Sequence, residues 1–517
     1  MSLTSSHSAA LAAPDTDSAR GVLRRAVNNP WVWAWIALPL LSYLILRWAQ
    51  TSPGYDPYGW LDWGYQALRG HLNLHGAPSW KPVTFIFTLP YSIFGHYSWW
   101  LWRITALSFA IVGPVTGGRI AYRLVRREDE PIWPALIAAL FAGIGIVMIV
   151  QYWHYILSSQ SDPMLVSFVL LGFDALLSRR WRLTLFCLFI AGLGRPEVWA
   201  LMGLYWLWCW FKVPVPGIRR WLIAALIITP FLWFGIPVIT GAYWDIAGRL
   251  AQHSVRELHS NKFTGTLTRF FDLTYWPVLV SAAVTFLWSL LRRDWWVAGV
   301  GAVAIIWMGV EEWFVLSNGF PGVARYMFEA GAFTIVLGGI GVGWLARIAF
   351  GSTAALWGRG AVSGGGGRLP ARLGAGVLAL VLVGFMAPYA KSAWDWEHVD
   401  IVGQRARTHS IYMLDRTIAR AGGAAFVRSC GVPTVDVGAA SILAWDTHLN
   451  TAQVGYIPVR QIHMGGPVVL FTGLFNGWVM HTYNEHGAAV SRCRVLNDAY
   501  YLETAGHPTG EFFHLNH

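Results

Sequence analysis

The chain carries little charge for its length. Only 13% of its 517 residues are Asp, Glu, Lys or Arg, while 55% are hydrophobic. A soluble chain of several domains carries about a quarter charged residues, so that class is excluded. Cysteine is scarce too: there are four, with no Cys-x-x-Cys pair and no Cys/His spacing that suits zinc. No internal repeat is present, which argues against a transporter built from inverted halves. A cleaved leader is not expected, because about thirty polar residues precede the first apolar run and no small-residue cleavage site follows it.

Apolar sequence, by contrast, is abundant. Runs near the ~20 residues that cross a bilayer as a helix recur from residue 30 to residue 390. The 32 tryptophans fit the same setting, since indole rings collect at membrane–water interfaces. The net charge of +11 comes from short basic runs between apolar ones: "RGVLRR", "YRLVRR", "LSRRWR", "GIRRW" and "LLRRD". That is the positive-inside pattern, which sets orientation, and no nucleic-acid partner is expected.

Placing those runs inside predicts eleven spans. They fall near 30–49, 100–122, 131–151, 162–178, 221–241, 276–291, 295–312, 327–346 and 373–390, with two short spans in 183–211 that meet at a Gly-Arg-Pro-Glu break. Residues 1–29 then form a cytoplasmic tail without fixed structure, and 350–372 a flexible Gly-rich cytoplasmic loop. Residues 30–390 form the transmembrane domain, with a large outer loop at 50–99 in which "PVTFIFTLPYSIFG" lies along the interface. In 391–517 short apolar runs alternate with Gly, Asn and Asp turns around one helical segment, "HSIYMLDRTIARAG". The expected fold class is a polytopic α-helical membrane protein of about eleven transmembrane helices with a C-terminal extracytoplasmic α/β domain. Its expected location is a bacterial plasma membrane. Cys430 and Cys493 fall in the outer domain, where a disulfide is expected, while Cys187 and Cys209 sit in apolar runs.

The outer loops hold the chemistry. The first carries Asp56, Asp62, Arg69, His71, His75 and Lys81. The loop "QYWHYILSSQSDPM" carries His154 and Asp162, the turn "GRPEVW" carries Arg195 and Glu197, and "EEWFVLSNGFPGVARYMFEAG" carries Glu311, Glu312, Arg325 and Tyr326. Charge at membrane depth is costly, so acids and bases converging on one face read as a functional site. Plainer readings stand beside this one. Asp162 suits a helix cap, Arg195 a hairpin cap or a snorkelling side chain, and the histidines interfacial polar groups.

The order of these features resembles the GT-C superfamily of integral-membrane glycosyltransferases. It is nearest the branch of protein O-mannosyltransferases, lipid A aminoarabinose transferases and arabinofuranosyltransferases. An Asp follows the first span in "YDPYGWLDWGYQALRG", and "KPVTF" stands where the family has a Lys-Pro-Pro-Leu-like segment, here without the second Pro and the Leu. "WWLWRIT" is similar to the family's Arg at the second span, here Arg103; "SSQSDPM" resembles its acid opening a later span, and "GLGRPEVW" its Arg-Pro-Glu turn. The resemblance is clear over residues 30–200, weaker to 350 and absent beyond.

It implies transfer of a sugar from a polyprenyl-phosphate carrier to an acceptor hydroxyl at the outer face, with inversion. Such a reaction needs a base for the hydroxyl and cations for the leaving phosphate. Asp56 is the expected base, with Asp62 as understudy and Asp162 steadying a cation or the acceptor. Lys81, Arg195 and Arg325 are the expected phosphate ligands, and Glu197, Tyr326, His154 and Arg103 complete the binding set. The partners implied are the lipid-linked donor, membrane lipids, and an envelope glycan, glycolipid or protein acceptor. No cofactor is expected, since Asp56 and Asp62 form no Asp-x-Asp pair and Lys81 can serve at the phosphate; a divalent cation stays open. A polysaccharide ligase or polymerase, or a transporter of lipid-linked sugars, is the alternative reading.

Overall fold

The structure, a computed structural model, describes residues 30–483 except 77, 129, 253–257, 259–260, 350–367, 457–466 and 475–476. The expected cytoplasmic tail, the core of the Gly-rich loop and Cys493, with the disulfide expected there, lie outside the described residues.

Each of the eleven expected spans coincides with a helix. α1 is Pro30–Ala49, and two shorter helices of the first loop follow, α2 (Tyr55–Leu68) and α3 (Pro82–Tyr91). α4 (Ser98–Val125), α5 (Trp133–Val147), the short α6 (Tyr152–Leu157) and α7 (Asp162–Leu177) come next. α8 (Trp181–Gly192) and α9 (Val198–Lys212) meet at the Gly-Arg-Pro-Glu turn. α10 (Ile218–Pro230) runs on through a π turn at Phe231–Gly235 to Ile239. The remaining membrane helices are α12 (Trp276–Arg292), entered through α11 (Lys262–Leu273), α13 (Trp295–Asn318), α14 (Phe328–Ala349) and α15 (Arg368–Arg420).

By length and hydropathy alone, four segments of the described chain cross a bilayer unaided: Pro82–Val125, Ile218–Ile239, Trp295–Asn318 and Ala324–Ala349. The pair α11 and α12, bent by 101°, adds a fifth if counted as one span. Several of the other expected spans are shorter, among them Trp133–Val147 and Trp181–Gly192. At 1.5 Å per residue the 12 residues of α8 reach roughly 18 Å, well under the ~30 Å hydrocarbon core. Such helices cross only where neighbours flank them or the bilayer thins.

α14 is the centre of the bundle and is buried along nearly its whole length, packed against α4, α5, α7, α12, α13 and α15. Its small residues allow this. A Cβ on Gly341 would stand 2.2 Å from the Thr285 hydroxyl of α12, so any larger residue would drive the two helices apart. At one end of the bundle the basic runs find acids: Arg123 Nη1 lies 2.6 Å from Asp174, and Arg347 Nε lies 2.6 Å from Glu130.

The C-terminal region is entered along a continuous helix. Residues 373–390 and "HSIYMLDRTIARAG" belong to one helix, α15, 53 residues long with Pro388 inside it, so no break falls at residue 390. The sequence "KSAWDWEHVDIVGQRAR" has a single Gly and no Pro, and nothing in it stops a helix. Beyond α15 come α16 (Gly423–Cys430), β1 (Val432–Thr434), α17 (Ala440–Thr447), β2 (Val468–Leu474) and β3 (Gly477–Tyr483). β1 pairs parallel to β2, with Val432 opposite Val468, and β2 pairs antiparallel to β3, with Val468 opposite Tyr483. This α/β unit has its own core around Leu414, Val427, Leu443, Phe471 and Trp478, and Tyr58 of α2 is buried in it.

The charge pattern predicts sidedness. A cysteine at His75 should react with an impermeant maleimide in intact cells, and one at Arg180 only after permeabilisation. The reverse pattern at either position would overturn the orientation.

Candidate active site

Local chain chemistry sets each charged side chain at a helix start or a tight turn. Asp56 lies in the first turn of α2, which ends where Gly70 takes a left-handed φ of 77°. Pro82 forces the residue before it into extended backbone, so Lys81 caps α3 at φ −139°, ψ 106°. Gly64 lets α2 and α3 close on each other, since a Cβ there would come within 2.5 Å of the Thr88 carbonyl oxygen. Asp162 opens α7 with Pro163 behind it. Arg195 and Glu197 flank the Pro196 turn, and Arg325 and Tyr326 sit in the single turn Ala324–Met327 ahead of α14.

These distant stretches meet in one cluster. Asp162, fully buried, accepts a hydrogen bond from Arg195 Nη2, and Lys81 Nζ stands 3.8 Å from the same carboxylate oxygen. Lys81 also donates to Ser161 Oγ at 3.4 Å and lies 5.5 Å from the Trp60 ring centroid. Arg325 Nη1 donates to Asp56 Oδ2 at 3.2 Å. Arg195 Nη2 reaches the Arg325 carbonyl at 3.4 Å, and Arg195 stacks over the Tyr326 ring at 4.1 Å. Glu197 lies 3.8 Å from Arg195 on its other side. Asp56 and Arg325 keep some access, their side chains 19% and 14% exposed.

Electrostatics follow from this packing. Burial pulls the Lys81 ammonium down to about 8, with Asp162 opposing the fall and Arg195 and Arg325 adding to it. Arg195 goes the other way: burial works against its charge, but Asp162 and Glu197 hold it above the ordinary guanidinium range. Among the described residues, Nε of Arg195, Nε of Arg325 and the second oxygen of Asp162 are buried without a hydrogen-bond partner. Two of these are cationic donors, free for an anionic ligand. Among the described residues no three His, Cys, Asp or Glu side chains are disposed to hold a metal ion.

Of the residues singled out by sequence, Asp56, Lys81, Asp162, Arg195, Glu197, Arg325 and Tyr326 thus come together. Three do not. Asp62 points to the C-terminal unit, accepting from Gln66 Nε2 at 2.6 Å and from the Thr451 backbone, and burial holds its carboxyl well above the usual carboxylate range. Arg103 is buried at the start of α4, donates to the Thr51 carbonyl and stacks on Trp99 at 4.2 Å. His154 pairs with Asp400 of α15 at 2.7 Å. Sequence reasoning missed Tyr155, whose ring lies 5.7 Å from the Arg325 guanidinium, and Glu329, fully buried with both oxygens unpartnered. Glu329 had a legible signal, as the lone acid in the first turn of an otherwise apolar helix. Tyr155 had none.

By its helices the chain is a polytopic membrane protein with a C-terminal α/β unit, and it holds a buried charge cluster at one end of its bundle. It is similar over 84% of its length to ArnT from Cupriavidus metallidurans in the apo state, covering 92% of that chain at 14% identity and a TM-score of 0.44. It is similar over 86% of its length to the same protein bound to undecaprenyl phosphate, covering 93% of that chain at 14% identity and a TM-score of 0.42. Likeness this distant assigns no role to any residue. No family model matches the chain, and no curated protein does.

Asp162 is the counter-ion of two buried cations. Removing one partner of a buried pair costs about 3–5 kcal/mol, because the other charge is left uncompensated. Asp162→Asn should therefore lower the melting temperature of the detergent-solubilised protein clearly, with Ser161→Ala as the mild control. An unchanged melting curve would show that the cluster does not hold the helix ends together.

Proposed function

We propose that this protein is a glycosyltransferase of the GT-C type. It moves a monosaccharide from a polyprenyl-phosphate carrier to an acceptor hydroxyl at the outer face of the membrane. One observation carries the reading: three largely buried cations from separate loops gather at one end of an apolar bundle, Lys81 and Arg195 on Asp162 and Arg325 on Asp56. A lipid phosphate at the bilayer surface meets such donors through charge-assisted hydrogen bonds. They stabilise the charge that grows on the phosphate as its bond to the sugar breaks.

Each residue then has a task. Lys81 and the unpartnered Nε–H groups of Arg195 and Arg325 hold the phosphate oxygens. Asp162 and Glu197 keep Arg195 in place before the carrier arrives. Asp56 is paired to Arg325 in the present structure, and a phosphate competes for that guanidinium. Carrier binding thereby frees the Asp56 carboxylate to take the acceptor's proton. The oxygen so activated attacks the anomeric carbon, the carrier phosphate leaves with the bonding electrons, and the configuration inverts. This reading needs no metal ion, because the three cations meet the phosphate directly.

Two measurements test it. Asp56→Asn keeps the shape but cannot accept the proton. Turnover with a polyprenyl-phosphate sugar should fall ~100-fold or more while donor binding survives, whereas Lys81→Ala should weaken donor binding. Near-normal turnover in Asp56→Asn would remove Asp56 as the base.

The pH dependence has a fixed sign. Lys81 carries its charge below about 8 and loses it above, so carrier binding should weaken as pH rises through that value. The step should vanish in Lys81→Arg, whose guanidinium stays charged. A carrier affinity independent of pH between 7 and 9 in the unmodified protein would contradict a role for Lys81 at the phosphate.

A further inference from the structure

A polar cavity of about 190 Å³, apart from the charge cluster, lies between the C-terminal half of α2 and the segment that follows α17. Its floor is a network of side-chain amides. Gln66 donates to Asp62 and accepts from Asn450 Nδ2 at 2.6 Å, and Asn450 Nδ2 also donates to the Asn73 carbonyl at 2.7 Å. Gln453 accepts from the Asn450 backbone at 2.9 Å. The walls are planar: the rings of Tyr65 and His448 are 6.1 Å apart and inclined by 30°. Among the described residues the Tyr65 hydroxyl and the Gln453 amide nitrogen have no partner.

The rim is cationic. Arg69 lies over the Tyr65 ring at 3.9 Å, is exposed, and has no ion-pair partner among the described residues. Arg428 stands close enough that it and Arg69 both depress the neighbouring His448 imidazole, after burial. The acid on the floor, Asp62, is engaged by Gln66 and the Thr451 backbone. The cavity thus offers the Gln453 amide nitrogen and the Tyr65 hydroxyl below, flat rings at the sides, and an exposed guanidinium at the mouth.

The geometry points to a binding site for an acidic sugar residue, one carrying a carboxylate or a phosphate, with Arg69 meeting the charge and Gln453 and Tyr65 the hydroxyls. Arg suits that contact because its planar fork matches two anionic oxygens at once. Asp56 and Gln66 are ten residues apart on one helix, roughly 15 Å along its axis. If the protein is the transferase proposed above, the held residue and the reacting hydroxyl therefore lie on different units of an acceptor longer than one sugar.

Titration calorimetry on the full chain in detergent tests this without any turnover, so it stands or falls apart from the transfer assay. The probes are glucuronate, glucose 6-phosphate, neutral glucose and inorganic phosphate. At least one acidic sugar should bind 10-fold or more tighter than both glucose and inorganic phosphate, and whichever binds tighter names the source of the charge. Arg69→Gln, which changes an exposed side chain, should cost that binding at least 10-fold, while Lys81→Ala leaves it as it was. Glucose binding as tightly would overturn the role of charge, and inorganic phosphate binding as tightly would overturn the role of the sugar. Binding that survives Arg69→Gln, or disappears with Lys81→Ala, would place the ligand elsewhere.

Discussion

The arrangement turns on one buried carboxylate. Asp162 has no exposure to solvent, so its charge must be met by protein, and Arg195 and Lys81 meet it. Each of those cations is expensive to bury alone and tolerable beside Asp162. The consequence is geometric: the start of α7, the α8–α9 turn and the cap of α3 are drawn to one point. Arg195 then reaches the Arg325 backbone and the Tyr326 ring, which brings in the start of α14. Arg325 closes the circuit on Asp56. Two hydrogen bonds back it up, from the Val83 backbone to the Leu193 carbonyl at 3.0 Å and from Lys81 to Ser161 Oγ at 3.4 Å.

The C-terminal helix supplies the second constraint. α15 leaves the bundle and keeps going, and its C-terminal half grips the link between α1 and α2. Arg405 Nε donates to the Ala49 carbonyl at 2.8 Å, Arg407 Nη2 to the Ser52 carbonyl at 3.1 Å, and the Thr408 hydroxyl accepts from the Ser52 backbone at 2.7 Å. That link leads straight into the turn that bears Asp56. Tyr58, two residues further on, is buried in the core of the C-terminal unit. The membrane bundle and the C-terminal unit therefore share α2, whose first turn serves the charge cluster and whose last turns line the amide-floored cavity.

Much of this was legible in the sequence, and the exceptions have physical causes. Span positions were readable because lipid demands long apolar runs and basic flanks, signals that tolerate no local compromise. The charge cluster was readable because acids and bases beside lipid are too costly to keep without a role. Three of the expected residues lie outside the cluster: Asp62, Arg103 and His154, the last held by Asp400 of α15. Asp62 is on the same helix as Asp56 but on another face, and the sequence holds no sign that a distant Asn450 and Thr451 would cover it. Arg103 has carbonyl and indole partners that come from folding, not from spacing. The border drawn at residue 390 rested on a change of composition, and one helix runs through it, because a helix continues through a polar stretch when nothing stops it.

The central claim is that the three cations form a phosphate site whose occupation releases Asp56. A structure determined by electron cryomicroscopy with a polyprenyl phosphate bound tests it most directly. The account predicts density for the phosphate between Lys81, Arg195 and Arg325, with the Arg325 guanidinium turned from Asp56 to the phosphate. A phosphate found away from these side chains, or one bound among them with the Asp56–Arg325 pair intact, would contradict it.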